Sequence, residues 1–121
     1  MYVGAKIPFQ VPPFELNKSK LRFGAEDLLS DIKNTLANNP EVSIEIHCYP
    51  DAVGNKTDNL NLTTERCKSL VNFFISNGID STRLNIKPHD SVDPDNPPPT
   101  KTRAKGKRYI GTSYIIVSSI K

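Results

Sequence analysis

The feature that most constrains the fold of this chain is an amphipathic segment near its middle. Apolar residues recur there at the spacing of one helix face, namely Cys67, Leu70, Val71, Phe74 and Ile75. Thr63 is suited to cap the amino end of such a helix, and Gly78 stands where a left-handed residue commonly ends one. A helix of this kind must bury its apolar stripe, so the chain needs another element to pack against it.

A strand and an earlier helix supply that partner. Val42, Ile44 and Ile46 alternate with polar residues, as in a strand with one buried face. The earlier helix is indicated by apolar residues at helical spacing, namely Ala25, Leu28, Leu29, Ile32 and Leu36. Pro40 ends this helix because it disfavours the helical conformation of Asn39. Both elements therefore present an apolar face to a common core.

The remaining segments complete the order strand, helix, strand, helix, strand, strand. Residues 1–13 contain three prolines and are expected to form an arm or an edge strand. Strands are also expected at residues 14–16, 83–87 and 109–118, and the polar segment 51–61 is expected to be a surface loop. We therefore predict an α+β domain, a βαβαββ sandwich in which two helices pack on one face of a mixed sheet.

Length and composition exclude several classes of protein. A chain of 121 residues fits one domain, and its net charge of +3 is too small to indicate nucleic-acid binding. No apolar run approaches the length of a membrane span. Residues 1–16 lack the basic start and the apolar stretch of a signal peptide, so we expect either a cytosolic chain or a piece of a longer exported protein.

The two cysteines, Cys48 and Cys67, are too few for a disulfide framework or a zinc site, since zinc would require two more ligands. A single disulfide between them and a pair of buried free thiols both remain open. His47 is adjacent to Cys48, but neighbours on a strand point to opposite faces, which argues against a catalytic thiol–imidazole pair. The residues thus indicate no cofactor, no metal and no catalytic site.

A carboxylate and a guanidinium are predicted to meet at one rim of the sheet. Asp51 follows the strand at 42–46, and Arg66 is expected in the first turn of the middle helix, beside its amino end. Opposite charges with helix amides nearby suit a zwitterion, such as an amino-acid head group. The alternatives are that Asp51 and Arg66 simply pair with each other, or that each of them faces water.

Several segments, in the correct order and spacing, resemble the OmpA-like family of peptidoglycan-binding domains. The family signature is a strand ending in G-H-T-D-x-x-G, followed by N-x-x-L-S-x-x-R-A at the start of the next helix. This chain has CYPDAVG and NLNLTTERC at these places. Upstream, FELNKSKLRFGAEDLL resembles the family's F-D-F-D-K-S-x-L segment and first helix. Downstream, GIDSTRL and Pro94 also match, and GKRY stands where the family has N-R-R-V.

The resemblance implies that residues 14–121 form an OmpA-like domain that grips the diaminopimelate of a peptidoglycan stem peptide. Asp51 would bind the ligand ammonium, and Arg66 would bind its carboxylate. The residues expected to line or support the pocket are Leu16, Asn17, Asn59, Leu62 and Thr63. The implied role is a non-catalytic one in the periplasm, where the domain anchors an outer-membrane protein, a lipoprotein, or a motor or secretion component to the wall.

This chain departs from the family pattern near the expected site. Cys48, Tyr49 and Pro50 replace G-H-T. Asn17 replaces an aspartate, and Cys67 replaces an alanine. These changes keep the charge pair but favour a rival interpretation, in which the fold has lost wall binding and serves as a protein–protein interaction module in an envelope or secretion complex.

A basic cluster precedes the last strand and consists of Lys101, Arg103, Lys105, Lys107 and Arg108. No aromatic residues are interleaved with these charges, so a solvated face or a contact with anionic wall polymer is favoured over nucleic acid. The expected partners are a peptidoglycan stem peptide and other proteins of the envelope or of a secretion complex.

Overall fold

The computed structural model describes residues 2–9, 11–98 and 109–121. Its elements in chain order are β1 (Lys6–Pro8), α1 (Ala25–Asn38), β2 (Val42–Cys48), α2 (Lys56–Ser76), β3 (Leu84–Pro88) and β4 (Ser113–Ile120). A single 3₁₀ turn, Ser81–Arg83, precedes β3. The predicted order of strands and helices is therefore confirmed. The basic cluster at 101–108 lies outside the described residues.

The four strands form one mixed, open sheet in the order β1-β4-β2-β3. β2 runs parallel to β3 and antiparallel to β4, and β4 runs antiparallel to β1. The parallel neighbours β2 and β3 are joined through α2, because a parallel pair needs a long crossover, which is usually a helix. This connection brings the carboxyl end of β2 next to the face of α2.

Both helices pack on one face of the sheet, as predicted. β2 alternates strictly between buried and half-buried residues, and its inward side chains enter a single core with β4 and the two helices. The buried members of this core from the strands and helices include Leu29, Leu36, Ile44, Ile46, Leu70, Phe74, Ile115 and Val117. Neither α1 nor α2 lies on the opposite face of the sheet, which holds the outward side chains of β2 and β4.

The start of α2 differs from the sequence prediction. The helix begins at Lys56, and its cap is Asn55, whose side chain accepts a hydrogen bond from the amide of Asp58 at 3.0 Å. Thr63 is not a cap but a fully buried residue within the helix. The segment 51–61 is thus half helix, and its first two turns escaped recognition because their exposed side chains show no apolar period.

The strands at the two ends of the chain are also shifted. Residues 14–16 are not a strand, since Phe14 makes only an isolated bridge to Leu21, and the edge strand is Lys6–Pro8. The last strand is Ser113–Ile120 rather than 109–118. A proline-rich arm supplies only three residues to the sheet because proline cannot donate to a ladder hydrogen bond.

The carboxyl end of α2 follows the prediction. Gly78 has φ of 90°, and the amides of Gly78 and Ile79 return to the carbonyls of Ile75 and Phe74. Ile75 and Leu28, expected in the core, are instead exposed, because they lie at the edge of their apolar stripes. Within the described residues, neither helix has the length and apolar character needed to cross a membrane.

Candidate functional site

Asp51 and Arg66 form a two-pronged ion pair at the carboxyl end of β2. The Nη1 and Nη2 atoms of Arg66 donate to Oδ1 and Oδ2 of Asp51 at 2.6 and 2.8 Å. Arg66 is 0% exposed and Asp51 is 5% exposed. Parallel hydrogen bonds between a guanidinium and a carboxylate are among the strongest polar contacts in proteins, and burial excludes the water that would compete with them.

The remaining donors of Arg66 bind main-chain carbonyls. Its Nε donates to the carbonyl of Lys18 at 2.9 Å, Nη2 donates to that of Glu15 at 3.2 Å, and Nη1 donates to that of Tyr49 at 3.4 Å. All five N–H groups of the guanidinium therefore have acceptors within the chain. The two longest of these bonds, to Glu15 and Tyr49, are the ones that a ligand could replace most readily.

Like the guanidinium of Arg66, the carboxylate of Asp51 has all its hydrogen-bond partners within the chain. Besides Arg66, it accepts the amides of Asn17 and Gly111, each at 2.7 Å. Burial alone would raise the pKa of Asp51, but the hydrogen bonds from Arg66, Asn17 and Gly111 outweigh burial and bring the pKa below its ordinary value. Asp51 is consequently charged at neutral pH.

The segment between Phe14 and Leu21 closes over the pair. Phe14 and Leu21 pair at the two ends of this segment, so the chain between them turns back on itself. Within the turn Asn17 adopts φ of 58°, and its amide donates to Asp51. The ring of Phe14 lies 5.1 Å from the guanidinium carbon of Arg66. Asparagine tolerates this left-handed conformation better than most residues, which explains its presence at the turn.

Gly111 is the residue that sequence reasoning missed most clearly. A Cβ atom at this position would lie 2.0 Å from the carbonyl oxygen of Tyr49 and 2.5 Å from that of Pro50. Only glycine can therefore bring its amide to Asp51 here. The one available signal was a glycine two residues before the last strand. The donor of the contact is a main-chain amide, which leaves no trace in the sequence.

Asn59 and Thr63 lie on the same face of α2 as Arg66, about two turns and one turn, respectively, toward the helix start. The Asn59 amide donates to the carbonyls of Ala52 and Asp90 at 3.2 and 3.4 Å. The Thr63 hydroxyl donates to the carbonyl of His89 at 2.9 Å. Asn59 therefore connects α2 to the segments that follow β2 and β3, and Thr63 connects it to the segment that follows β3. These contacts hold α2 in place beside the ion pair.

Leu16 and Leu62 are half-buried, and the side chain of Asn17 is exposed. The structure places Leu16 and Asn17 in the turn that covers Arg66, and Leu62 directly before Thr63 in α2. The expected first-turn position of Arg66 is wrong, since Arg66 lies about three turns, or roughly 15 Å, beyond the start of α2. The helix amides are therefore too distant to assist Arg66.

A second polar cluster lies on the face of the sheet opposite to α1 and α2 and comprises Glu45, His47, Tyr49, His89 and Tyr114; we call it the outer-face cluster. Nδ1 of His47 lies 2.9 Å from Nε2 of His89, and Nε2 of His47 lies 3.0 Å from Glu45. One set of tautomers satisfies both contacts, with His89 donating to His47 and His47 donating to Glu45. The two imidazoles and Glu45 thus form one chain of hydrogen bonds.

The rings of the outer-face cluster stack in parallel. Tyr49 covers His89 with ring centres 4.0 Å apart, and His47 lies 4.8 Å from the ring of Tyr114. The two tyrosine hydroxyls are hydrogen-bonded at 2.9 Å. Burial is the main cause that lowers the pKa of His89 below its ordinary value, and the neighbouring His47 lowers it further.

The cysteines are both free and fully buried between β2 and α2. Cys48 is the last residue of β2 and points inward, whereas its neighbour His47 points outward, as predicted. Cys67 directly follows Arg66 in α2. Among the described residues, no three histidine, cysteine, aspartate or glutamate side chains come together as metal ligands.

Comparison with known proteins gives a family match over most of the chain. The model of the OmpA family matches residues 13–108. The probable lipoprotein YiaD of Escherichia coli (strain K12) is 23% identical over 94 residues, which cover 78% of this chain and 42% of that protein. The chain therefore spans less than half the length of this relative.

Solved structures share the fold. The periplasmic domain of Helicobacter pylori MotB has a TM-score of 0.72 at 13% identity, covering 98% of this chain and 78% of that one. A putative MotB-like protein from Desulfovibrio vulgaris has a TM-score of 0.66 at 21% identity, covering 94% and 74%. The peptidoglycan-associated lipoprotein from Burkholderia pseudomallei has a TM-score of 0.64 at 15% identity, covering 93% and 87%.

Proposed function

The chain belongs to the OmpA family, and on that premise we propose that it binds peptidoglycan non-covalently through the rim that holds Asp51 and Arg66. The observation that carries this proposal is the two-pronged ion pair itself, which sets a carboxylate and a guanidinium side by side at the end of β2. The two groups match a ligand that carries both charges. A solved relative of this fold is named as a peptidoglycan-associated lipoprotein, which agrees with the proposal.

The ligand we propose is the diaminopimelate of the stem peptide, whose free end carries an ammonium and a carboxylate. The ligand carboxylate would take the place of the carbonyls of Glu15 and Tyr49, the two weakest acceptors of Arg66. The ligand ammonium would share Asp51, whose two oxygens each accept two bonds in the free protein. A charged carboxylate is a stronger acceptor than a carbonyl, so the exchange favours the bound state.

The residues around the pair would shape the pocket. We assign Asn17, Asn59 and Thr63 to its polar wall, because they hold the turn and the helix against the ion pair. We assign Leu16 and Leu62, both half-buried, to its apolar side. In this role the five residues support recognition without taking part in any reaction.

We propose that the domain anchors a larger protein to the cell wall and has no enzymatic role, cofactor or metal of its own. The parent protein would be an outer-membrane protein, a lipoprotein, or a motor or secretion component, with this domain in the periplasm. The relatives named as a lipoprotein and as a periplasmic MotB domain support that setting. Other envelope or secretion-complex proteins would be its protein partners.

A second candidate function is protein–protein interaction without wall binding. The specific observation that favours it is the closure of the site, since every donor of Arg66 and both oxygens of Asp51 are already bound within the chain. In that case the ion pair would only stabilise the rim, and recognition would use other surfaces.

Co-sedimentation with purified peptidoglycan separates the two functions. The variants are Arg66→Lys, which keeps the charge but loses the planar fork, and Asp51→Asn, with His47→Gln on the opposite face as the matched control. We expect wild type and the control to pellet with the wall. Each site variant should lose about 2–5 kcal/mol of binding free energy, as found when one member of a desolvated charge pair is changed.

Circular dichroism must show all four proteins to be folded before the binding results are compared. If folded wild type stays in the supernatant at low salt, wall binding is wrong and protein–protein interaction takes its place. If the site variants bind as well as the control does, the assignment to Asp51 and Arg66 is wrong.

A further inference from the structure

Two cysteines face each other across the contact between sheet and helix, directly beside the candidate site. Cys48 ends β2, three residues before Asp51, and Cys67 follows Arg66 in α2. Both side chains are 0% exposed and both thiols are free. At both positions the chain departs from the family pattern described above, with cysteine replacing a glycine and an alanine.

The contacts of the two thiols converge on the same stretch of β2. The Cys67 thiol donates to the carbonyl of Ile46 at 3.4 Å, two residues before Cys48 and on the same strand. The hydroxyl of Ser113, opposite Cys48 on β4, donates to the Cys48 sulfur at 3.6 Å. The side-chain interaction with Cys67 lowers the pKa of Cys48. Burial opposes this shift, and Ser113 and Arg66 add to it.

We propose that Cys48 and Cys67 are a disulfide-forming pair, and that the structure shows the reduced form of a domain whose sheet and second helix become cross-linked under oxidising conditions. The cross-link would close the segment 49–66, which carries Asp51 and Arg66 together with Asn59 and Thr63. Oxidation would therefore restrict the segment that holds most of the candidate site, although the proposal does not depend on what the site binds.

The reaction is a thiol–disulfide exchange with a small disulfide such as oxidised glutathione. The Cys48 thiolate attacks one glutathione sulfur, the glutathione S–S bond breaks, and one glutathione leaves as a thiolate. The Cys67 thiolate then attacks the Cys48 sulfur and releases the second glutathione. Two cysteine thiols are oxidised to one disulfide, one glutathione disulfide is reduced to two thiols, and the two protons lost by the cysteines end on the two glutathione thiolates.

Burial determines how the experiment is done. Because both thiols lie beneath α2, a bulky oxidant reaches them while the chain folds rather than afterwards. The protein is therefore unfolded, reduced and refolded in a buffer of reduced and oxidised glutathione. Free thiols are then counted by alkylation in denaturant, and the mass and the oligomeric state are measured.

We expect refolded wild type to be a monomer with no alkylated cysteine and a mass lower by two hydrogens. Its melting temperature should exceed that of the reduced protein by about 5–15 °C, because a cross-link of this loop length restricts the unfolded chain. The variant Cys67→Ala should instead retain Cys48 as a glutathione adduct or a free thiol. The double variant Cys48→Ala with Cys67→Ala should melt at one temperature with and without oxidant.

Two alkylated thiols in refolded wild type would overturn the proposal, and so would glutathione adducts on both cysteines or a disulfide between two chains. The readout is the state of the thiols, so it is independent of peptidoglycan binding. A domain that binds no wall can still form this disulfide, and one that binds the wall can lack it.

Discussion

The ion pair of Asp51 and Arg66 and the outer-face cluster lie at the same end of β2, on opposite sides of the sheet. The ion pair consists of two opposite charges that are buried and bound by main-chain groups. The outer-face cluster consists of stacked histidine and tyrosine rings that are hydrogen-bonded to one another, with Glu45 bound to His47. Removing either residue of the ion pair leaves the other charge buried without its partner. The outer-face cluster can lose one hydrogen bond and still keep its stacked rings.

The difference follows from the cost of burying a charge. A buried guanidinium without its carboxylate is far less stable than the same group in water, while a neutral hydroxyl that loses its partner costs about 1–3 kcal/mol at most. Changes to the ion pair should therefore lower the free energy of unfolding more than changes to the outer-face cluster do. Four variants or conditions test that ranking, in order of decreasing effect.

The largest effect is expected for Arg66→Ala, which leaves Asp51 buried without its cation. We expect the free energy of unfolding to fall by about 3–5 kcal/mol. Chemical denaturation measures this change, with His47→Ala as the comparison from the outer-face cluster. A loss no larger than that of His47→Ala would contradict the ranking.

The next effect concerns Gly111, whose amide binds Asp51. Gly111→Ala places a methyl group against the carbonyls of Tyr49 and Pro50, so we expect a loss of about 1–3 kcal/mol or more. Gly54→Ala is the matched control, because nothing lies within 4 Å of its added Cβ. Equal denaturation midpoints for the two variants would show that the close approach at Gly111 is unimportant.

A smaller effect is expected for Tyr49→Phe in the outer-face cluster. The variant removes the hydrogen bond between the hydroxyls of Tyr49 and Tyr114 but keeps the stacking on His89. The expected loss is about 0.5–1.5 kcal/mol, measured by thermal or chemical denaturation. Tyr2→Phe, at an exposed tyrosine, serves as the control and should change stability very little.

The smallest effect is a dependence of stability on pH. The pKa of His89 is lowered in the folded state, so the unfolded chain binds the proton more readily. Stability is then full above about pH 6.5, the ordinary histidine value, and falls as the pH drops below it. The pKa of Asp51 is also lowered, so its contribution is lost only below about pH 4.

Denaturation midpoints of wild type and His89→Gln between pH 8 and pH 5 measure the contribution of His89, because that of Asp51 is lost only at lower pH. We expect wild type to lose stability over this range and the variant to lose less. Parallel curves for the two proteins would assign the pH dependence to other groups.

The sequence predicted the elements with strong apolar periods. The stripe that includes Leu70 and Phe74, and the alternation through Ile44 and Ile46, led directly to two helices on one face of a mixed sheet. The start of α2 at Lys56 was missed because its first turns are polar and exposed. Apolar spacing marks the buried face of a helix, so it cannot indicate the turns of a helix that are exposed to solvent on all sides.

The candidate site, too, was predicted only in part from the sequence. The meeting of Asp51 and Arg66 was foreseen, but their closure by main-chain groups of Glu15, Lys18 and Gly111 was not. Main-chain donors and acceptors are present at nearly every residue, so no side-chain pattern marks the ones that matter. The outer-face cluster was missed for another reason. It joins His47 in β2 to His89, which directly follows β3, and the sequence does not reveal the register of these two strands.

The most direct test of the proposed function is to follow amide chemical shifts by NMR while a diaminopimelate-containing stem peptide is added. We predict saturable shifts at the amides of Asn17 and Gly111, which bind Asp51, with little change at His47, and no such shifts in folded Arg66→Lys. No shift at high peptide concentration, or shifts confined to the outer-face cluster, would contradict the account.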